Sequence, residues 1–208
     1  GVDAGHKATI LSAIAFGIPV QFAKAHVEGI SKLDTQDIVY AEKLGYRIKL
    51  LGIARRSKTG VELRVHPCLI PEKRLIANVE GAMNAVMVQA DAVGTTMFYG
   101  KGAGSEPTAS AVIADLIDLT RLMSVDPKHR VPHLAFHPDA MSAIDVVPME
   151  AVLTSYYLRL RVSDRAGVLA EVTGVLAAEQ ISIDAVLQRP AGAVLNQTDL
   201  IIMTHECE

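Results

Sequence analysis

Gly1-Val2-Asp3-Ala4-Gly5-His6-Lys7 opens the chain and runs directly into an apolar segment, residues 8–16. Asp3 and Lys7 are four residues apart, so on a helix their side chains lie on one face, one turn apart. Such a pair places a carboxylate that can hold an ammonium group beside an amine that can carry a proton. The same spacing also suits a simple ion pair on a solvated helix start. The stretch predicts a helix from about residue 3 to Gly17, with Asp3 and Lys7 as candidate functional residues.

The composition describes a globular chain of one or two domains. Half of the 208 residues are hydrophobic and 21% are charged, so a substantial core can be buried. The formal net charge of -3 offers no basic surface for nucleic acid. The longest apolar run, residues 8–20, is interrupted by Gly17 and Pro19 and is too short to span a bilayer. Cys68 and Cys207 are too few for a disulfide scaffold. We therefore expect a cytoplasmic protein with no nucleic-acid partner and no membrane partner.

Apolar alternation after the first helix predicts a mixed α/β arrangement. The expected strands are residues 24–30, 46–54, 61–69, 84–89 and 95–99, and a short helix over 38–44 follows a cap at 35–37. A polar turn containing Gly60 joins the second and third strands into a hairpin. In the third strand Glu62, Arg64 and His66 alternate with apolar residues. This alternation predicts one solvent-facing side and one buried side.

A glycine-rich turn, Phe98-Tyr99-Gly100-Lys101-Gly102-Ala103-Gly104-Ser105-Glu106-Pro107-Thr108, precedes a helix expected over residues 107–123. That helix has one apolar stripe, formed by Val112, Ile113, Leu116 and Leu119. Glycines let backbone amides approach an anion closely, and the helix start adds oriented donors. The glycine spacing differs from that of a dinucleotide-binding fingerprint. For the glycines alone, a tight structural turn is the simpler interpretation.

Three histidines, His129, His133 and His137, are spaced four residues apart, as metal ligands on a helix would be. Prolines at positions 127, 132 and 138 exclude a continuous helix through them. We interpret residues 127–149 as a linker and domain boundary, and we predict no metal site.

The pattern changes after the linker. Residues 156–162 predict a strand, 163–167 a turn, 168–179 an amphipathic helix, and 181–188 and 198–204 two further strands separated by a turn at 190–192. The turn 163–167 brings free amides to a helix N-terminus, where an α-carboxylate can bind. Asp164 can neutralise an α-ammonium group, and Gly167 permits close approach of a ligand. Alternatively, Asp164 simply caps the helix.

These motifs together resemble a known family. The opening Gly-x-Asp-x-x-x-Lys resembles the signature of homoserine dehydrogenases, and residues 99–110 are similar to their Tyr-Gly-x-Gly-Ala-Gly-x-x-Pro-Thr-Ala-Ser segment. Asp-Arg-x-Gly-Val-Leu at 164–169 resembles an ACT domain, an amino-acid-sensing module. The resemblance implies that Lys7 handles the proton during hydride transfer and that Asp3 holds the amino-acid substrate. It also implies that Gly104 and Gly102 lie on the side of the NADP or NAD cofactor.

The resemblance further implies the whole architecture. The fold class is α/β (α+β): a mixed sheet with helices on one side forms a catalytic domain, residues 1–149. A ferredoxin-like βαββ ACT module follows over 150–208 and is incomplete, since its second helix and fourth strand are not present. We expect a fragment of a longer enzyme whose nucleotide-binding domain precedes Gly1.

The implied reaction is the interconversion of L-homoserine and L-aspartate 4-semialdehyde in amino-acid biosynthesis. The implied enzyme is a homo-oligomer, a dimer or tetramer, with threonine as an effector at Asp164 and Gly167. The competing hypothesis is a non-catalytic amino-acid-binding or oligomerisation module.

Overall fold

The computed structural model describes residues 1–190 and 196–207, and these ranges form a mixed α/β fold. The helices are α1 (Val2–Phe16), α2 (Thr35–Lys43), α3 (Ser105–Met123) and α4 (Val168–Ala178). The strands are β1 (His26–Val27), β2 (Tyr46–Arg56), β3 (Val61–Pro71), β4 (Met83–Ala90), β5 (Gly94–Lys101), β6 (Val146–Val147), β7 (Tyr157–Ser163), β8 (Ile183–Pro190) and β9 (Gln197–Thr204). The predicted fold class is confirmed, while positions 191 and 192 of the predicted turn lie outside the described residues.

The first sheet is organised around β3. On one edge β3 pairs antiparallel with β2 along its whole length, and on the other edge it pairs in parallel with β1 and β6. The predicted strand over 24–30 is wrong at both ends: Phe22–Lys24 is a 3-10 turn, and only His26–Val27 pairs with β3. β6 lies within the predicted linker, and the domain boundary over 127–149 stays a prediction.

Helix α1 packs on one face of this sheet through small side chains. Its buried residues are Gly5, Ala8, Thr9, Ser12 and Ala13, and the core beneath it contains Leu63, Val65 and Val146. The buried hydroxyl groups of Thr9 and Ser12 donate to carbonyl oxygens of the same helix, at 2.7 and 2.8 Å, so both buried donors are hydrogen-bonded. The helix ends at Gly17, because the left-handed φ of 63° at this residue is incompatible with a further helical turn. The predicted first helix is confirmed.

The prediction that the polar side of β3 faces solvent is wrong. Glu62 and Arg64 are buried, 3% and 7% exposed, although they alternate with the apolar core residues as expected. Arg64 and His66 line a cavity whose opposite wall includes Tyr156 and Met203 of the C-terminal region. The alternation is present as predicted, but Glu62 and Arg64 on the polar side are enclosed by protein.

The C-terminal region forms its own three-stranded antiparallel sheet, in the order β7-β9-β8. With α4 between β7 and β8, this is the βαββ order that the sequence predicted. Residues 198–204 of the central strand β9 are all buried. One face of this sheet lies against α2, so the two regions share a packed interface.

The interface between α2 and this sheet is polar and fully paired. Tyr157 donates to Asp37 at 2.9 Å, Arg159 contacts the same carboxylate at 2.8 Å, and Tyr40 donates to Asp199 at 3.1 Å. The buried side chains meet their partners, which is the condition for burying charge at low cost. The predicted cap at 35–37 is corrected by one position: the N-cap is Asp34, which accepts from the amide of Gln36 at 3.0 Å.

The hairpin β4–β5 and helix α3 project from this body. Helix α3 has no buried residue, and its predicted apolar stripe, Val112, Ile113, Leu116 and Leu119, is between 53% and 60% exposed. The stripe exists as predicted, but within the described residues nothing covers it.

A test of the α1 contact is available at Gly52 in β2. A Cβ atom there would lie 3.0 Å from the Cβ of Ala8 and 3.4 Å from the carbonyl oxygen of Ala4. We expect Gly52→Val to lower the free energy of unfolding by about 1–3 kcal/mol, because α1 must move away from the sheet. Urea unfolding followed by circular dichroism measures the change.

The matched control is Gly100→Val, since Gly100 is also a strand glycine and a Cβ there would meet nothing within 4 Å. An equal loss of stability in both variants would show that β-strand glycines, and not the α1 contact, set the effect.

Candidate functional site

Asp3 and Lys7 form the ion pair that their spacing predicts. Lys7 Nζ lies 2.8 Å from Asp3 Oδ2, and the two side chains are 68% and 82% exposed. The hydrogen bond from Lys7 is the main reason why the pKa of Asp3 is lowered from its ordinary value. In this chain the pair is thus an open, preformed carboxylate–amine unit.

The surface around this pair is apolar. Ile10 and Ile14 follow Asp3 and Lys7 on the same side of α1 at helical spacing, and they are 47% and 40% exposed. A charged pair flanked by uncovered isoleucines is unusual for a purely solvated helix start. This arrangement favours a surface against which other groups close, and it presents the ammonium and carboxylate groups to them.

The glycine-rich turn has local structural reasons for its glycines. A Cβ at Gly102 would lie 2.5 Å from the side-chain nitrogen Nδ2 of Asn84. Gly104 has a φ of 130°, which glycine adopts far more readily than other residues. Gly104 is the N-cap of α3, and no side chain caps the helix. Backbone amides of its first turn are therefore available to donate to a bound group. The turn is therefore both a tight structural element and a possible donor site.

The two predicted parts of the active site are not joined in the described residues. Asp3 and Lys7 lie on α1, whereas Gly102 and Gly104 lie where β5 leads into α3. No hydrogen bond or ion pair in residues 1–190 and 196–207 connects the two segments. The roles of all four residues stay predictions.

The turn before α4 forms a small cavity. It has a volume of about 330 Å³ and is lined by Asp164, Gly167 and Gln188, among others. Gly167, with a left-handed φ of 94°, is the N-cap of α4, and no side chain caps the helix. The alternative in which Asp164 caps the helix is therefore wrong, and its carboxylate makes no hydrogen bond or ion pair with the described residues.

A further polar cluster on β3 was not singled out from the sequence. His66 Nδ1 lies 3.0 Å from the carbonyl oxygen of Pro67, so it donates there, and His66 Nε2 accepts from Arg64 at 3.0 Å. Burial, followed by the charge of Arg64, lowers the pKa of His66. Burial also raises the pKa of the neighbouring Cys68 thiol to about 11. His66 and Cys68 are thus held in their neutral forms at neutral pH.

The signal for this cluster was present in the sequence as Glu62, Arg64, His66 and Cys68 at every second position. Alternation assigns them to one side of the strand, but it cannot show whether that side meets water or protein. In the described residues, no group of three or more potential ligands is placed to hold a metal ion, and no helix is long and apolar enough to cross a membrane.

Comparisons with known proteins agree with the two-part structure. The family model described as homoserine dehydrogenase matches residues 1–117, and the one described as ACT domain matches residues 156–208. A curated homoserine dehydrogenase of Pseudomonas aeruginosa is 57% identical over 205 residues, covering 99% of this chain and 47% of that protein. One from Neisseria gonorrhoeae is 56% identical over 207 residues, with the same coverage.

Solved structures show the same relation. The crystal structure of a homoserine dehydrogenase from Thiobacillus denitrificans matches with a TM-score of 0.91 and 64% identity, covering all of this chain and 46% of that chain. A homoserine dehydrogenase from S. aureus matches with a TM-score of 0.67 and 31% identity. These matches define a two-part polypeptide in which an ACT domain follows a homoserine dehydrogenase domain.

The chain belongs to the homoserine dehydrogenase family. It spans about half the length of the curated relatives it matches.

The neutral His66 gives a testable pH dependence. Its folded-state pKa lies below the unfolded value of about 6.5, so the unfolded chain binds an extra proton as the pH falls below 6.5. The free energy of unfolding therefore has its full value above pH 6.5 and decreases as the pH falls below 6.5. We expect the stability of the protein to drop between pH 7.5 and 5.5, and His66→Gln to reduce that drop.

Urea unfolding at both pH values measures the effect. His133→Gln is the matched control, because His133 is exposed and a similar ring is removed. If both variants keep the full drop, His66 does not carry the pH dependence.

Proposed function

We propose that this chain forms the substrate domain and the regulatory module of an enzyme that interconverts L-homoserine and L-aspartate 4-semialdehyde with NADP or NAD. One observation carries this proposal: the preformed Asp3–Lys7 pair, presented on an apolar helix surface in a chain of this family. The reaction needs a group that moves a proton at the substrate oxygen and a group that orients the amino acid. The pair provides both within one helical turn.

Lys7 is the proposed acid–base residue. The side chain of Lys7 takes the hydroxyl proton as homoserine becomes an aldehyde, and it returns that proton to the substrate oxygen in the reverse direction. The nicotinamide ring, when bound, supplies the hydride chemistry at the same carbon. Since the Lys7 side chain is mostly exposed in this chain, the rest of the enzyme or the substrate must exclude water from it.

Asp3 is the proposed substrate-orienting residue. Its carboxylate is ionised beside Lys7 and can accept a hydrogen bond from the α-ammonium group of the amino acid. Holding that end fixes which carbon faces the cofactor and keeps the substrate oxygen near Lys7.

Gly104 and Gly102 are the residues of this chain that we assign to the cofactor side. The uncapped amides at the start of α3 fit a polar or anionic group, and a glycine at 104 leaves the backbone open to close approach. A side chain at 102 would require the exposed side chain of Asn84 to move away.

Asp164 and Gly167 form the proposed effector site. The cavity before α4 offers uncapped helix amides for an α-carboxylate and the unpaired carboxylate of Asp164 for an α-ammonium group. We propose threonine as the effector. A second copy of the module would complete the site in a homo-oligomer, a dimer or tetramer, and the exposed apolar stripe of α3 is a further surface for such assembly.

The reaction is tested by Lys7→Ala in the full-length enzyme. We expect kcat to fall by about 10²–10⁴-fold with little change in cofactor affinity, because only the proton-transferring group is removed. Asp3→Asn should instead raise the KM for homoserine most strongly, because the ammonium group loses its countercharge. Steady-state kinetics with homoserine and the cofactor separate the two effects.

Lys24→Ala is the matched control, since Lys24 also makes an exposed ion pair, with Asp145 at 3.0 Å. Turnover of Lys7→Ala within about threefold of the parent would remove Lys7 from the chemistry.

The effector site is tested by Asp164→Asn, with inhibition by L-threonine as the measurement. We expect the concentration for half inhibition to rise by about tenfold, because one charge-assisted hydrogen bond is weakened. Glu179→Gln at the other end of α4 is the control and should leave inhibition unchanged. Equal inhibition of Asp164→Asn and the parent would place the effector elsewhere.

A non-catalytic amino-acid-binding module is the second candidate, favoured by the cavity beside Asp164. The intact mass of the native protein separates the two candidates. A mass well above 22.2 kDa is required for the enzyme, whereas a mass near that value leaves only the module.

A further inference from the structure

One polar side chain beside the Asp3–Lys7 pair has no role in the function proposed above. His6 lies between these two residues in the sequence and is exposed. Its ring nitrogens make no hydrogen bond or ion pair with the described part of the chain. An imidazole ring has at least one N–H group to donate in either protonation state. The donor of His6 is therefore open to a bound molecule.

The ring of His6 is held in place by Phe22. The two ring centroids are 4.3 Å apart, and the ring planes are inclined by 58°. Phe22 also lies against the backbone of α1 at Gly5, since a Cβ atom there would be 2.9 Å from the Phe22 ring. Phe22 itself is only partly exposed and begins the 3-10 turn after α1. An aromatic contact of this kind restricts the His6 ring to few orientations.

The contact with Phe22 leaves the other side of His6 next to Asp3. On an α-helix, residues three apart differ by about 60° in direction, so the two side chains are neighbours. Gly5 lies on the far side of His6 from Asp3, and Lys7 lies on the opposite side of Asp3. The pKa of Asp3 is lowered mainly by Lys7, and His6 adds to this lowering, which agrees with a ring close to the carboxylate. Helix α1 thus presents His6, Asp3 and Lys7 in that order across its exposed side.

This order matches the order of the polar groups in a hydroxy-amino acid. The match rests on the proposed function, in which Asp3 holds the α-ammonium group and Lys7 acts at the substrate oxygen. The α-carboxylate is bonded to the same carbon as the ammonium group, and the arm that carries the hydroxyl group leaves that carbon in another direction. With the hydroxyl group at Lys7, the carboxylate falls beside Asp3 and away from Lys7.

We propose that His6 binds the α-carboxylate of the amino-acid substrate through an imidazole N–H group. A hydrogen bond to a charged acceptor is stronger than one between neutral groups, so this contact contributes to the binding of the substrate. An amino alcohol without a carboxylate would leave His6 unused. His6 therefore favours amino acids over simple amines at this site.

The test compares L-homoserine with 3-aminopropan-1-ol, which has the same amine and hydroxyl groups but no carboxylate, in the full-length enzyme. Where turnover of the amino alcohol is too slow to follow, its inhibition constant against L-homoserine is measured instead. His6→Leu removes the N–H donor and keeps an apolar contact with Phe22. We expect its KM for L-homoserine to rise by about tenfold or more with kcat within about threefold of the parent. The constant for 3-aminopropan-1-ol should stay within about twofold.

Two further variants separate the donor from the bulk of the ring. His6→Gln keeps a side-chain N–H donor, and we expect its KM for L-homoserine to stay within about threefold of the parent. His133→Leu is the matched control, because His133 is also exposed and lies outside α1. It should leave the constants for both compounds within about twofold of the parent.

An unchanged KM for L-homoserine in His6→Leu, or an equal loss with 3-aminopropan-1-ol, would overturn the proposal, because neither result depends on the α-carboxylate. A fall in kcat alone would overturn it as well. If His6→Leu does not fold, His6→Ala decides by the same comparison, since alanine favours the helix most. A parent enzyme that does not oxidise L-homoserine with NADP or NAD would instead overturn the proposed function, and this proposal with it.

Discussion

The close approach of α1 to the β2–β3 hairpin is the contact on which the candidate active site depends. Small residues on the helix and Gly52 on the strand let the two backbones come together, and the core of Ala8, Leu63 and Val65 fills the contact. Burying one side of α1 in this way leaves Asp3 and Lys7 on the opposite, open side. Packing that contains no charged residue therefore determines where the charged pair is presented.

The polar interface between α2 and the C-terminal sheet has a different role. Its aspartate, arginine and tyrosine side chains are paired across the two regions, and burial raises the pKa values of Tyr40 and Tyr157, which keeps both phenols protonated as donors. Buried ion pairs add little net stability over apolar packing, but they penalise any other orientation of the two parts. The interface thus specifies how the ACT domain sits on the rest of the chain.

Much of the fold follows from local sequence signals. The first helix, the β2–β3 hairpin, the glycine-rich turn before α3 and the βαββ order all follow from periodicity, glycine positions and alternation. The errors have a common physical origin. Residues 24–30 form only a two-residue strand, and the polar side of β3 is buried, because both depend on which distant segment lies alongside. The Asp3–Lys7 pair is visible from spacing alone, whereas the burial of Glu62 and Arg64 appears only in the folded chain.

The short strand β6 has a consequence for how the chain folds. Its two residues close the sheet by pairing in parallel with the start of β3, and Gly60 fits tightly against the carbonyl oxygen of Asp145. Residues 72–145, which include the hairpin β4–β5 and α3, are therefore an excursion that leaves the sheet and returns to it. During synthesis this part of the β3 edge stays unpaired until residue 147 has left the ribosome. An open strand edge is prone to intermolecular pairing, so slow closure of the excursion prolongs the time for which this edge is exposed.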